Sequence, residues 1–112
     1  MPSLQIIRIR RKINRRAFKS VLSLHIATNQ EALVEAQIQT YSGKLLSTLN
    51  RVQVVSVDSF SLNRRHQEVQ LEGELSDKDS HQLLSGAYIV EVTATSPDKQ
   101  KVTRHFPIAL GT

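Results

Sequence analysis

A chain of 112 residues with 39% apolar side chains is one domain with room for one core, and it is too apolar to be a disordered segment. It contains no cysteine, which excludes disulfide staples, zinc–thiolate centres and thiol nucleophiles. Its net charge of +5 is unevenly placed: residues 1–30 carry seven cations and no acid, and the rest carries eight cations and ten acids.

No apolar run approaches the ~20 residues of a helical membrane span. The apolar N-terminus is interrupted by Arg8 and Arg10, unlike a secretory signal. The lack of cysteine fits a reducing cytoplasm, and equally a bacterial exported protein. The aromatic residues are few (Phe18, Tyr41, Phe60, Tyr88 and Phe106), so the core is expected to be mostly Val, Leu and Ile, which favours strands.

Residues 3–9 read as a first strand whose apolar parity switches at Ile6–Ile7, the mark of a bulge. Residues 10–17 are too charged for a core and read as an exposed connection. Residues 18–27 alternate Phe18, Leu22, Leu24 and Ile26 against Lys19, Ser23 and His25. After the Asn29–Glu31 turn signal, residues 33–41 place Val34, Ala36, Ile38 and Thr40 inward, with Glu35, Gln37 and Gln39 outward. Ser42-Gly43 is a hairpin signal. The return segment 44–49 has an undecided register because of its Leu45-Leu46 pair.

Residues 51–57 form a strand with a parity slip at Val54–Val55, and residues 63–66 a polar loop. In residues 67–75, Val69, Leu71, Gly73 and Leu75 share a face, and the following loop to Gln82 holds two aspartates. Residues 86–95 put Tyr88, Val90, Val92 and Ala94 inward. Ser96-Pro97-Asp98-Lys99 is a type I turn. Residues 101–110 close the chain with Val102, Phe106, Ile108 and Leu110 on one face, and Pro107 assigns that strand to an edge or to a place where its donor side is open. About seven short strands without a helix predict an all-β, two-sheet antiparallel sandwich of immunoglobulin-like type, spanning residues 1–112 as a single domain.

Two stretches, Val34-Glu35-Ala36-Gln37-Ile38-Gln39-Thr40-Tyr41-Ser42-Gly43-Lys44-Leu45 and Leu84-Ser85-Gly86-Ala87-Tyr88-Ile89-Val90-Glu91-Val92, resemble the immunoglobulin-like and fibronectin type III-like modules of bacterial surface and assembly proteins. Hook-capping and secretion-sorting modules have similar Ser-Gly-Lys turns and Ser-Gly-X-Tyr corners. The resemblance covers residues 20–110. It implies a non-catalytic spacer or docking domain, exported or at a cell surface. The arginine-rich N-terminal segment and the missing tryptophan depart from the pattern.

Candidate chemistry is sparse. The exposed basic segment 8–19 (Arg8, Arg10, Arg11, Lys12, Arg15, Arg16 and Lys19) has the composition of a polyanion site for nucleic acid, a sulfated glycan or an acidic membrane surface. A solvated edge whose charge blocks aggregation is the plainer reading. The segment has no interleaved aromatics for base stacking. Asp77-Lys78-Asp79-Ser80 has too few ligands for calcium, and a solvated turn suits it better. His25, His66, His81 and His105 lack metal-ligand spacing. Ser80-His81 beside Asp77 and Asp79 is the nearest approach to a hydrolytic cluster. No nucleophile elbow, phosphate loop or dinucleotide fingerprint is present. The expectation is therefore a non-enzymatic interaction or spacer module within a larger protein or assembly. It would have a protein partner and neither cofactor, metal nor small-molecule substrate. Contact would come by strand addition at an edge or through a sheet face. Leu33, Leu46 and Ile89 sit off the core parity of their segments and are the expected partner-binding residues.

Overall fold

The computed structural model describes residues 3–16, 19–49, 51–59, 64–76, 83 and 86–110; at residues 15, 16, 19, 51–59 and 64–66 the description is of the backbone. Eight strands stand among the described residues: β1 (Ile6–Arg16), β2 (Lys19–Thr28), β3 (Leu33–Gln39), β4 (Leu45–Thr48), β5 (Arg51–Ser59), β6 (Arg64–Glu74), β7 (Gly86–Thr95) and β8 (Lys101–Leu110). They form two four-stranded sheets in the orders β1-β2-β6-β5 and β4-β3-β7-β8. Every strand pair is antiparallel. The fold is thus an all-β, two-sheet antiparallel sandwich. Each hairpin lies within one sheet, and each link between hairpins crosses to the other sheet. The shortest dimension of 19 Å is that of two sheets about 10 Å apart with their outer side chains.

The expected alternation fills the interior. Leu22, Leu24 and Ile26 of β2 and Val69 and Leu71 of β6 face Val34, Ala36 and Ile38 of β3 and Val90, Val92 and Ala94 of β7, and all are buried. Burying each of the larger side chains stabilises the fold by about 1.5–3 kcal/mol. Tyr88 is partly buried against this cluster, together with Ile9, Leu46, Val102, Phe106 and Leu110. Both parity slips are real irregularities: the β1–β2 register shifts between Ile6 and Arg8, and the β5–β6 register between Val54 and Ser56. Pro107 lies on β8, an edge strand, where a missing donor is tolerated.

Three expectations are corrected. Residues 10–16 are not a connection but the second half of β1, in ladder with β2 as far as Arg16↔Lys19. An edge strand with one face in water accommodates this density of charge, and Ile9 and Ile13 keep the inward parity. Residues 64–66 extend β6 and pair with β5 through Asp58↔Arg65 and Ser59↔Arg64. The return segment after Gly43 supplies an eighth strand, β4.

Both hairpins of the second sheet use one turn design. In residues 40–44, the Thr40 N–H donates to the Lys44 carbonyl and the Gly43 N–H to the Thr40 carbonyl. The Lys44 N–H donates to the Thr40 hydroxyl at 3.0 Å. In residues 96–100, Ser96, Lys99 and Gln100 repeat all three bonds. Each loop is a type I turn followed by a left-handed residue, Gly43 at φ 93° and Lys99 at φ 69°.

Polar clasps tie the crossings down. The buried Gln67 side chain of β6 donates to the Ala32 carbonyl at 2.8 Å and accepts from the Ala32 N–H at 3.3 Å, satisfying the backbone where the chain enters β3. Gln100 accepts from the Leu4 N–H at 2.9 Å, joining the start of the chain to the β7–β8 turn. Asn29 accepts from the Gln5 N–H and donates to the Ser3 carbonyl, extending the β1–β2 ladder.

Gly73 is required for a different reason. A Cβ there would stand 2.5 Å from Leu49 Cδ2 and 3.3 Å from Leu49 Cα, where the β4–β5 link crosses β6. Leu49 is itself buried and has no room to retreat. Gly73→Ala is therefore expected to destabilise the domain by about 1–3 kcal/mol in urea unfolding. Gln67→Leu leaves both Ala32 backbone groups buried without their partner, and is expected to cost about 2 kcal/mol by the same measurement.

Candidate functional site

The basic segment is divided by the pleat. Arg8, Arg10 and Lys12 are exposed, and in register they stand beside Ala27, His25 and Ser23 on the outer face of the first sheet. The next strand over, β6, places Glu68, Gln70 and Glu72 in the same rows. Arg8 pairs with Glu68 at 2.9 Å. Strands two apart lie about 9–10 Å from each other, close to the screening length in physiological salt, so these acids offset the field of the cations. Arg15, Arg16 and Lys19 lie where the β1–β2 ladder ends, and their side chains fall outside the described residues. The seven cations therefore do not form a single surface.

Arg11 has the opposite parity and crosses to the other sheet. Its guanidinium lies 5.2 Å from the centroid of the Phe106 ring and donates to the Pro107 carbonyl. It thus bridges the open side of the sandwich between the two edge strands β1 and β8. Beside it is a groove of about 490 Å³ lined by Arg11, Ile13, Tyr41, Ala87, Pro107 and Ala109, with Ile108 at its base. Tyr41 owes its place to the 40–44 turn, which leaves it 65% exposed.

The three expected partner-binding residues separate. Leu33 is 65% exposed, at the opposite end of the second sheet. There it lines another groove of about 490 Å³ with Glu31, Gln67, Thr95 and Pro97. Ile89 is half-buried on the outer face, between Gln39 and Pro107 in register. Leu46 packs against the core, and its neighbour Leu45, 51% exposed, faces out beside Gln39. The cause is the register shift between Ile38 and Gln39, which settles the parity that the Leu45-Leu46 pair left open. Leu45, Ile89 and Pro107 therefore share a row across β4, β3, β7 and β8, with Ala87 and Ala109 in the next row. Tyr41 carries no parity signal because it lies in a turn. Its exposure could be foreseen only from the turn chemistry of Ser42-Gly43.

The remaining candidates hold less. Among the described residues, no three His, Cys, Asp or Glu side chains gather as a metal site would require. Asp77, Asp79, Ser80 and His81 lie outside the described residues, as do the side chain of His66 and Phe18. His105 meets Glu91 across the β7–β8 ladder at 2.9 Å, and Gln39 donates to the same carboxylate oxygen at 3.1 Å. His25 Nε2 lies 3.4 Å from Glu68 without hydrogen-bond geometry. No helix among the described residues is long and apolar enough to cross a membrane. Comparison with protein-family models, curated proteins and solved structures finds no match to this chain.

One carboxylate is tuned by its turn. Asp98 is held below its ordinary value of 3.8, first by the hydrogen bond from the Ser96 hydroxyl and then by that from the Gln100 side chain. A carboxylate with a depressed folded pKa stabilises the fold above its unfolded value, and that contribution is lost as pH falls through the folded value. An NMR titration is expected to give Asp98 a midpoint below 3.8, and Ser96→Ala is expected to raise it towards 3.8. Acid unfolding followed from about pH 6 to about pH 2 is expected to be less pH-dependent below 3.8 in Asp98→Asn than in the parent.

Proposed function

We propose that this domain is a non-enzymatic interaction module of the immunoglobulin-like sandwich type, docking a protein partner on the outer face of its β4-β3-β7-β8 sheet within a larger protein or assembly. The strand orders β1-β2-β6-β5 and β4-β3-β7-β8 correspond to the A-B-E-D and C′-C-F-G sheets of such sandwiches. Tyr88 stands at the start of β7, the F position, two residues after Gly86 with its φ of 152°. This is the place of a tyrosine corner.

The observation that carries the reading is the apolar cluster of Ile89, Pro107, Ala87, Ala109 and Tyr41, with Leu45 on the same face beyond Gln39. The same face is polar along Glu35, Gln37, Thr93 and Thr103. Contiguous apolar surface bordered by polar residues is a feature of docking sites.

Polyanion binding along β1 is the second reading, favoured by the exposure of Arg10 and Lys12 and weakened by the acids of β6. Three phosphate contacts through Arg8, Arg10 and Lys12 would give a slope of about −3 in log K against log salt.

A peptide library selected on the purified domain tests the main reading. Ligands are expected to shift the amide resonances of Leu45, Ala87 and Ile89, and Leu45→Asp is expected to weaken them about tenfold without altering the circular dichroism spectrum. Ligands that map instead to β1, with the salt slope just given, would favour the polyanion reading. Turnover of a substrate by the isolated domain would end both.

A further inference from the structure

Resting on the reading that this sheet docks a protein, we infer that the groove between the β1 and β8 edges takes an extended, acidic–apolar segment of that partner. Arg11 meets its carboxylate, and Ile13, Tyr41, Ala87, Pro107 and Ala109 meet its apolar side chains.

The charge of the groove sets the sign of the ligand. Arg11 is the one charged residue lining it among the described residues. Arg8, Arg10 and Lys12 have the other parity and stand on the outer face of the first sheet, so the charge of the groove is that of Arg11. Glu91, on the row of the sheet beyond Ile89, is already engaged by His105 and Gln39. A guanidinium has five N–H donors. The Pro107 carbonyl takes one of them, and the cation–π contact with Phe106 holds the group beside the groove. A pre-oriented guanidinium at the rim of an apolar groove is suited to a carboxylate, which it can grip with two parallel bonds.

The shape sets the form of the ligand. The groove passes from Tyr41 in the β3–β4 turn, over the end of β7 and β8, to Ile13 on β1. At the usual spacings of strands and sheets this is roughly 15–20 Å, or about five or six extended residues. The ligand is held by side chains and not as an added strand. Pro107 has no N–H to offer and its carbonyl already accepts from Arg11, so the β8 edge is interrupted at the middle of the site.

The test uses three synthetic ten-residue peptides alternating leucine with glutamate, glutamine or lysine, titrated into the domain by fluorescence anisotropy and by NMR. The glutamate peptide is expected to bind at least about tenfold more tightly than the lysine peptide at low salt. It is expected to shift the amides of Ala87 and Ala109, and to lose affinity as salt is raised. Arg11→Gln is expected to bring the glutamate peptide down to the affinity of the glutamine peptide, which it leaves unchanged. Because Arg11 also bridges the sheets, Ala109→Glu serves as a second variant that places a negative charge in the groove and leaves Arg11 intact. It is expected to weaken the glutamate peptide by about tenfold.

Equal affinity for the glutamate and lysine peptides, or shifts at Arg10 and Lys12 in place of Ala87 and Ala109, would overturn the inference. If the glutamine peptide still mapped to Leu45 and Ile89, the docking reading would survive that result. If no peptide touched either surface, both would fall. Heparin that displaced the glutamate peptide while shifting only β1 outer-face amides would assign the acidic ligand to the polyanion reading, and so would overturn the inference too.

Discussion

The interior shared by β2 and β6 on one side and β3 and β7 on the other is the constraint from which the rest follows. Each of these strands gives every second side chain to that layer, and the buried members are Leu, Ile, Val and Ala except at one end, where Thr28 of β2 and Gln67 of β6 are buried too. Because the period is two, a slip of one residue in any central strand would turn its core residues to water. The four central strands therefore have one permitted register each. The outer strands β1, β4, β5 and β8 are positioned by pairing to them, and this leaves the outer strands free to be charged, short or interrupted by proline.

A dry interior of this kind leaves a problem where the chain changes sheets, because backbone groups at those crossings have no ladder partner. Side-chain amides solve it. At the β2–β3 crossing Gln67 supplies both a donor and an acceptor to Ala32, and ahead of β1 Gln100 accepts from Leu4 and Asn29 holds both Ser3 and Gln5. Two turns of the same design, opened by Thr40 and Ser96, then return β3 and β7 to their neighbours. The fold is thus maintained by apolar burial in the middle and by a few amide and hydroxyl groups at its ends.

The edges connect structure with function. Arg11 belongs to one sheet and lies against Phe106 and Pro107 of the other, so the most basic of the described strands meets apolar residues of the second sheet at one groove. The same side chain closes the sandwich and supplies a positive charge at its rim. On the outer face of the first sheet the cations instead stand near the acids of β6, and Arg8 is paired outright. One basic segment therefore presents two electrostatic environments according to the face of the pleat.

How much of this was legible from the chain depends on the range of the interaction. The alternation in residues 34–40, 69–75 and 88–94, the bulges at Ile6–Ile7 and Val54–Val55, the turn at Ser96–Lys99 and the missing donor at Pro107 are all local, and the sequence by itself determined them. Side-chain parity and backbone donors are properties of neighbouring residues. Three features were decided only by the tertiary structure. Residues 10–16 become a strand because β2 provides a ladder for them. Leu45 rather than Leu46 faces water because the register shift in the β3–β4 hairpin sets it so. Arg11 finds Pro107 and Arg8 finds Glu68 across separations of 96 and 60 residues. Such contacts arise from how two sheets stack, and no pattern within a short stretch of chain encodes them.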